Sequence, residues 1–179
     1  MPKYKFGKQK RELSKEEFWR FVEKGNFVKR RHKAFFVLIY YTGARKAELL
    51  ELTKDKFQID PEFLRVDVKA KKQGIERAAF KLRRDLPYVE LIVKAVEKTR
   101  GNKRVFPFDQ TTAWRIVKRV SPKHYPHFFR LNRCVKFLNN PEITLNEIRQ
   151  WFAWKSLKSV ESYLGYSRGT IEKLSSHVE

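Results

Sequence analysis

Apolar positions along this 179-residue chain recur mostly at three- and four-residue intervals, with one interruption in which they alternate. The first helical stretch opens at Ser14, where Glu17 completes a capping box and Leu13 and Phe18 take the flanking staple positions. Phe18, Phe21 and Val22 form its inward stripe, and Gly25 stops it. A second helix is predicted from about Arg31, with Ala34, Leu38 and Tyr41 on one face and Thr42-Gly43 at its end. A short helix carrying Leu49, Leu50 and Leu52 follows at once. From Phe57 the period falls to two. Phe57 with Ile59, then Leu64, Val66 and Val68, then Ala78, Phe80 and Leu82 predict three short strands. Asp60-Pro61 closes the first strand, and residues 69–77 (KAKKQGIER) form a hairpin loop between the last two.

Helical spacing returns over residues 85–98, with Val89, Ile92, Val93 and Val96 inward, and Val105-Phe106-Pro107 reads as a buried connector. Another helix runs from about Thr111 to Val120 on Ala113, Ile116 and Val117, stopped by Pro122. The next begins at His127, carries Leu131, Val135 and Leu138, and ends by Pro141. Thr144 and Glu147 form a second capping box ahead of Leu145, Ile148 and Phe152. A further helix carries Val160, Tyr163 and Leu164, and a tail helix starts near Ser167. The predicted fold is mainly α with a small three-stranded antiparallel sheet, a single domain over residues 13–179 behind a flexible basic arm at 1–12.

Charge narrows the partners. With 41 Lys and Arg against 20 Asp and Glu, the chain carries a net +21, which predicts strong attraction to a polyanion, nucleic acid first. An anionic membrane finds no support, since the most apolar run, residues 34–41, is far too short to span. The N-terminus has basic residues without an apolar core behind them, which predicts no signal peptide. Cys134 is the only cysteine, so there is neither an intramolecular disulfide nor a cysteine metal site, and a reducing, cytoplasmic location is expected. Abundant Lys and Glu with few Gly, one Met and one Cys lean toward a thermophilic source.

Four stretches could carry chemistry. His127 and Arg130 lie three apart, so on a helix they project toward one object and make an anion clamp; a basic helix facing solvent reads the same way. Thr42-Gly43-Ala44-Arg45 places an arginine at a helix mouth, with Glu48 one turn on to hold its guanidinium, although an ordinary helical corner with a surface ion pair has that pattern too. Lys69, Lys71 and Lys72 crowd the hairpin, where lysines serve solvation and edge protection as readily as catalysis. Trp154 and Tyr163 follow, and a tyrosine brought to an anion clamp can attack phosphorus. Asp55, Asp60, Asp67, Asp85 and Asp109 are too scattered for a two-metal nuclease.

In their order and spacing these motifs resemble the tyrosine recombinase (phage-type integrase) family over about residues 13–170. Thr42-Gly43-Ala44-Arg45 with Glu48 is similar to the family's first box, and His127-x-x-Arg130 to its second. Lys71 matches the catalytic lysine between two strands, with Lys72 as the alternative. Trp154 falls at the family's His-or-Trp position, in a Phe152-Ala153-Trp154 that replaces the usual Leu-Gly-His, and Tyr163 follows nine residues later as the nucleophile.

The resemblance implies cleavage without metal or other cofactor. Arg45 and Arg130 would hold the scissile phosphate, Glu48 would support Arg45, and Lys71 would protonate the leaving 5′-oxygen. His127 would move a proton or brace the phosphate, and Trp154 would help position it. It also implies double-stranded DNA as partner and a homotetramer on paired sites, formed from protomers that are monomeric free in solution. The family's N-terminal DNA-clamp domain is not expected within this chain. After the tyrosine, Gly165 and Gly169 suggest a hinge, and Ile171 with Leu174 an apolar face that could exchange between protomers. A type IB topoisomerase shares the Arg–Lys–Arg–His–Tyr chemistry and is the nearest alternative, followed by a DNA-binding module whose catalysis has lapsed.

The charge alone generates a measurable expectation. Affinity for duplex DNA should fall steeply with salt, log K against log salt having a slope of about −0.9 per phosphate neutralised. A flat titration would exclude a polyanion-gripping surface.

Overall fold

The computed structural model describes residues 12–69 and 79–164. Helix α1 (Lys15–Lys24) starts at the predicted capping box: the Ser14 hydroxyl accepts from the Glu17 amide at 3.1 Å, and the Glu17 carboxylate accepts from the Ser14 amide at 3.0 Å. Phe18 and Val22 are its buried stripe. Helix α2 (Arg30–Thr42) departs from the single-faced helix expected, because every residue from Ala34 to Tyr40 is buried. A helix apolar all round must be wrapped by others. Here α1, the short α3 (Lys46–Leu49), α4 (Val89–Glu97), α5 (Gln110–Val120) and α6 (Pro126–Leu138) surround it.

The three strands form one antiparallel sheet in chain order, β1 (Phe57–Ile59), β2 (Phe63–Val66) and β3 (Phe80–Arg83). Phe57 pairs with Val66, Leu64 with Leu82 and Val66 with Phe80. The period-two pattern therefore survives as a buried face of Leu64, Val66, Phe80 and Leu82. Val68 lies beyond the last paired residue although it is buried, and Ala78 lies outside the described residues, as do the arm at 1–11, Lys71, Lys72 and the tail from 165.

One further reading needs correction. The helix expected from residue 85 begins only at Val89, because Pro87 is followed by Tyr88 in the left-handed region (φ 67°), a conformation no helix continues through. Leu145 opens α7 (Leu145–Trp151) as predicted but stays 39% exposed. It stands three and seven residues before Ile148 and Phe152, on the face they turn inward, and as the first residue of a seven-residue helix it occupies the open end of that face. Among the described residues no helix is long and apolar enough to cross a membrane.

The main core surrounds α2. A second apolar cluster of Cys134, Ile148, Phe152, Trp154 and Val160 lies between α6, α7 and α8 (Lys158–Leu164). Trp151 packs against both clusters. Two helices point into the seam between them, and both end with a residue in the left-handed conformation. Gly43 (φ 61°) follows α2, its amide bonded to the Ile39 carbonyl. Ala153 (φ 49°) follows α7 in a Schellman arrangement, with the Ala153 amide on the Gln150 carbonyl and the Trp154 amide on the Arg149 carbonyl, each at 3.0 Å.

The two left-handed positions differ in what surrounds them. A methyl group at Gly43 would lie 3.0 Å from Arg133 Cβ, 3.1 Å from the Phe152 ring and 3.3 Å from Arg130 Cα, so α6 would have to move. Gly43→Ala should lower unfolding free energy by roughly 2–4 kcal/mol, from left-handed strain plus overpacking. Ala153→Gly should change it by less than about 1 kcal/mol, because relief of the same strain is offset by losing a buried methyl and by glycine's chain entropy. Urea denaturation of the two variants checks the contrast, and equal effects would contradict it.

Candidate active site

Thr42 and Gly43 turn the chain sharply out of α2, and the Thr42 hydroxyl helps by donating to the Leu38 carbonyl at 2.7 Å and accepting from the Ala44 amide at 3.2 Å. Arg45 thereby becomes the N-cap residue of α3. Glu48, 3% exposed, uses both carboxylate oxygens on it: Oε1 accepts from Arg45 Nη1 at 2.8 Å, and Oε2 accepts from the Arg45 amide at 3.2 Å. This is a charge-assisted contact to a guanidinium whose side chain keeps 30% exposure. The acid faces the interior and the cation leans out, so the pair aims Arg45 rather than neutralising it at the surface.

Helix α6 opens with Pro126 at its first position and brings His127 and Arg130 to the same cleft as Arg45, a cavity of about 570 Å³. The two residues have opposite environments. His127 is exposed, yet partial desolvation, and after it the charges of Arg130 and Arg45, hold its imidazole below the ordinary histidine pKa. Its neutral form therefore persists to lower pH than in a free histidine.

Arg130 is 2% exposed and lies between two helix ends. Its Nη1 donates to the Gly43 carbonyl at 3.3 Å and its Nη2 to the Phe152 carbonyl at 3.0 Å. Helix C-termini leave carbonyls without partners and carry the negative end of the macrodipole, so they suit a buried cation. The guanidinium carbon also sits 4.5 Å from the Phe152 ring centroid and 5.1 Å from that of Trp154.

Trp154 continues the stack outward. It is 4% exposed, and its ring lies 5.2 Å from the ring of half-buried Tyr163 at an interplanar angle of 21°. Arg45, His127 and Arg130 thus share one cleft, while Tyr163 is joined to Arg130 through the Trp154 ring. It is the faces of the Trp154 ring that make these contacts.

Three features had escaped the sequence. Trp151 Nε1 donates to the Thr42 carbonyl at 2.8 Å, and its ring lies 4.8 Å from Phe80 and 5.1 Å from Phe137. It therefore joins the end of α2 to the strand leaving the lysine hairpin, and no local signal announces contacts to segments so distant in sequence. The carbonyls of Gly43 and Phe152 are backbone groups, invisible to motif reading. Trp114 lines the same cleft as Arg45. Its signal was legible, being a tryptophan on the polar side of a helix whose inward positions are Ala113, Ile116 and Val117.

The sequence model of the phage integrase family matches residues 11–168. No curated protein sequence matches the chain. Among solved structures the fold is similar to XerH site-specific recombinase bound to its palindromic difH substrate, with a TM-score of 0.72 and 17% identity, over 93% of this chain and 52% of that one. XerA recombinase gives 0.67 and 20%, over 94% of this chain and 65% of that one. The catalytic domain of bacteriophage HP1 integrase gives 0.65 and 14%, over 93% of this chain and 94% of that one. At these identities the likeness is one of fold. The chain spans about half the length of XerH and nearly all of the HP1 catalytic domain.

Replacing Arg130 by lysine keeps the charge but loses the fork that reaches two carbonyls at once. Arg130→Lys should therefore reduce unfolding free energy by roughly 2–4 kcal/mol in urea titrations, the scale of lost bonds to a buried charged donor. An unchanged midpoint would mean that the two carbonyl bonds anchor nothing.

Proposed function

The chain belongs to the phage integrase family, and on that premise we propose that it carries the catalytic part of a site-specific tyrosine recombinase, cutting and rejoining double-stranded DNA through a 3′-phosphotyrosyl bond. The observation that most supports this reading is the chain of contact from Arg45 and His127, across the cleft, to Arg130 and on through Trp154 to Tyr163. In this reading the three basic side chains form the anion site, and the Trp154 ring links the Tyr163 phenol to it.

In this scheme the scissile phosphate lies in the cleft with its non-bridging oxygens toward Arg45 and Arg130, donors that strengthen as negative charge builds on the phosphorane. Tyr163 Oη attacks phosphorus, and the bond to the 5′-oxygen breaks. The phenolic proton passes to His127, whose depressed pKa leaves it able to accept. The departing 5′-oxygen takes a proton from Lys71, or from Lys72 if the register of the hairpin differs by one; both roles come from the family resemblance. Rejoining runs the same steps backward, with the 5′-hydroxyl attacking the phosphotyrosyl bond and no net change in bonds.

Glu48 holds Arg45 in its pose, and Trp154 fixes the ring plane of Tyr163. The XerH neighbour is a recombinase bound to a DNA substrate, which favours recombination over topoisomerase-type relaxation. For this chain we propose assembly of four protomers on paired DNA sites, from monomers in solution.

Tyr163→Phe decides the nucleophile. With a pool of nicked suicide duplexes of randomised sequence, wild type should leave a covalent protein–DNA adduct on a denaturing gel, and Tyr163→Phe should form none while retaining DNA affinity. Loss of the adduct in Tyr166→Phe instead would move the nucleophile to Tyr166. No adduct from wild type would favour the lapsed DNA-binding module.

A further inference from the structure

The cleft holds more than an anion site needs. One wall is α5, whose Ala113, Ile116, Val117 and Val120 are buried. Gln110, Trp114 and Lys118, spaced four apart and therefore in one stripe along the helix, border the cleft opposite Arg45 and His127. Trp114 is 44% exposed, an indole face left at water. Lys118 Nζ lies 5.8 Å from the Trp114 ring centroid and is steadied by donating to the Pro122 carbonyl at 2.8 Å. The wall is also tied to the first arginine's helix, since Lys46 Nζ donates to the Gln110 carbonyl at 3.3 Å.

We infer that this stripe is a nucleoside-binding wall, on which Trp114 covers the sugar and base attached to the phosphate that Arg45 and Arg130 hold. The inference rests on the proposed recombinase reading and adds to it a residue that distinguishes nucleic acid from other polyanions. A cavity of about 570 Å³ is within the range that encloses small ligands, and a duplex must stay at its mouth. What reaches inside is thus one phosphate with the sugar attached to it. Cations alone would accept any chain of phosphates. An indole beside them adds apolar contact that a deoxyribose or a base edge returns and an inorganic phosphate cannot. Lys118 is placed to meet the next phosphate along the strand, which would set the direction in which the strand crosses the cleft.

Two probes separate the wall from the anion site: a short mixed-sequence DNA duplex and inorganic polyphosphate. Binding is followed by titration and by the indole N–H signal of Trp114, identified as the one missing from the spectrum of Trp114→Phe. Both probes should bind wild type, and only DNA should shift the Trp114 signal. Trp114→Ala should weaken DNA binding by roughly three- to tenfold, the scale of one lost apolar contact with a deoxyribose, and leave polyphosphate affinity unchanged. Trp114→Phe should recover most of the loss, because it keeps an aromatic face. An equal loss for both probes, no loss for either, or an unmoved Trp114 signal on DNA binding would overturn the inference while leaving the anion site standing. If wild type bound neither probe, the recombinase reading would fall, and this one with it.

Discussion

Helix α2 ends inside the protein, and the carbonyls of its last turn must find donors there. Much of the site follows from how they do. The Tyr40 carbonyl accepts from Arg133 Nη2 at 3.0 Å, the Thr42 carbonyl from Trp151 Nε1 at 2.8 Å, and the Gly43 carbonyl from Arg130 Nη1. Two of these donors stand on α6 and the third on α7, so satisfying one buried helix end fixes both elements against it. Arg130 has the most demanding position, because its other terminal nitrogen caps the end of α7 through the Phe152 carbonyl. A buried guanidinium without acceptors would be strongly unfavourable. Given acceptors at the negative ends of two helices, it becomes the point at which both are registered.

The two arginines of the cleft are therefore held by different means. Arg45 is oriented by a carboxylate buried beneath it and keeps a partly exposed head. Arg130 is oriented by backbone dipoles and two aromatic rings. Neither arrangement places an anion over the cleft mouth. With His127 held toward its neutral form by desolvation and by these same two cations, the local field is positive, and an anion entering the cleft would meet oriented donors. In the proposed reaction, little reorganisation would then be needed as charge develops at phosphorus.

Aromatic packing extends that order to the tyrosine. Phe152, Trp154 and Tyr163 form a run of rings that starts at Arg130 and ends half-exposed on α8. Each ring restricts the next, so the orientation of the guanidinium and that of the phenol are linked without a direct bond. The Schellman turn at Ala153 makes the run possible by reversing the chain between Phe152 and Trp154. That a left-handed alanine stands there, where the family usually has glycine, means the turn is held by its two capping bonds and by packing rather than by backbone freedom.

Sequence alone determined the element order, the two capping boxes, the period-two sheet and the pairing of Arg45 with Glu48. All of these are written in spacings of two to four residues, which the local sequence displays directly, even though the strand pairings join residues as far apart as Phe63 and Arg83. It also placed His127, Arg130, Trp154 and Tyr163 in order along the chain, through motif resemblance rather than through geometry. The tertiary structure alone decided which of them lie in the open cleft and which lie beneath it. Nothing local in His127-x-x-Arg130 says that the histidine is exposed and the arginine buried. That difference arises because Arg130 faces backbone carbonyls at positions 43 and 152, brought together only when α2 and α7 converge. The wrapping of α2 on all sides and the role of Trp151 are of the same kind. They depend on donors and acceptors far apart in sequence, whose pairing is enforced by the cost of leaving a buried polar group unsatisfied.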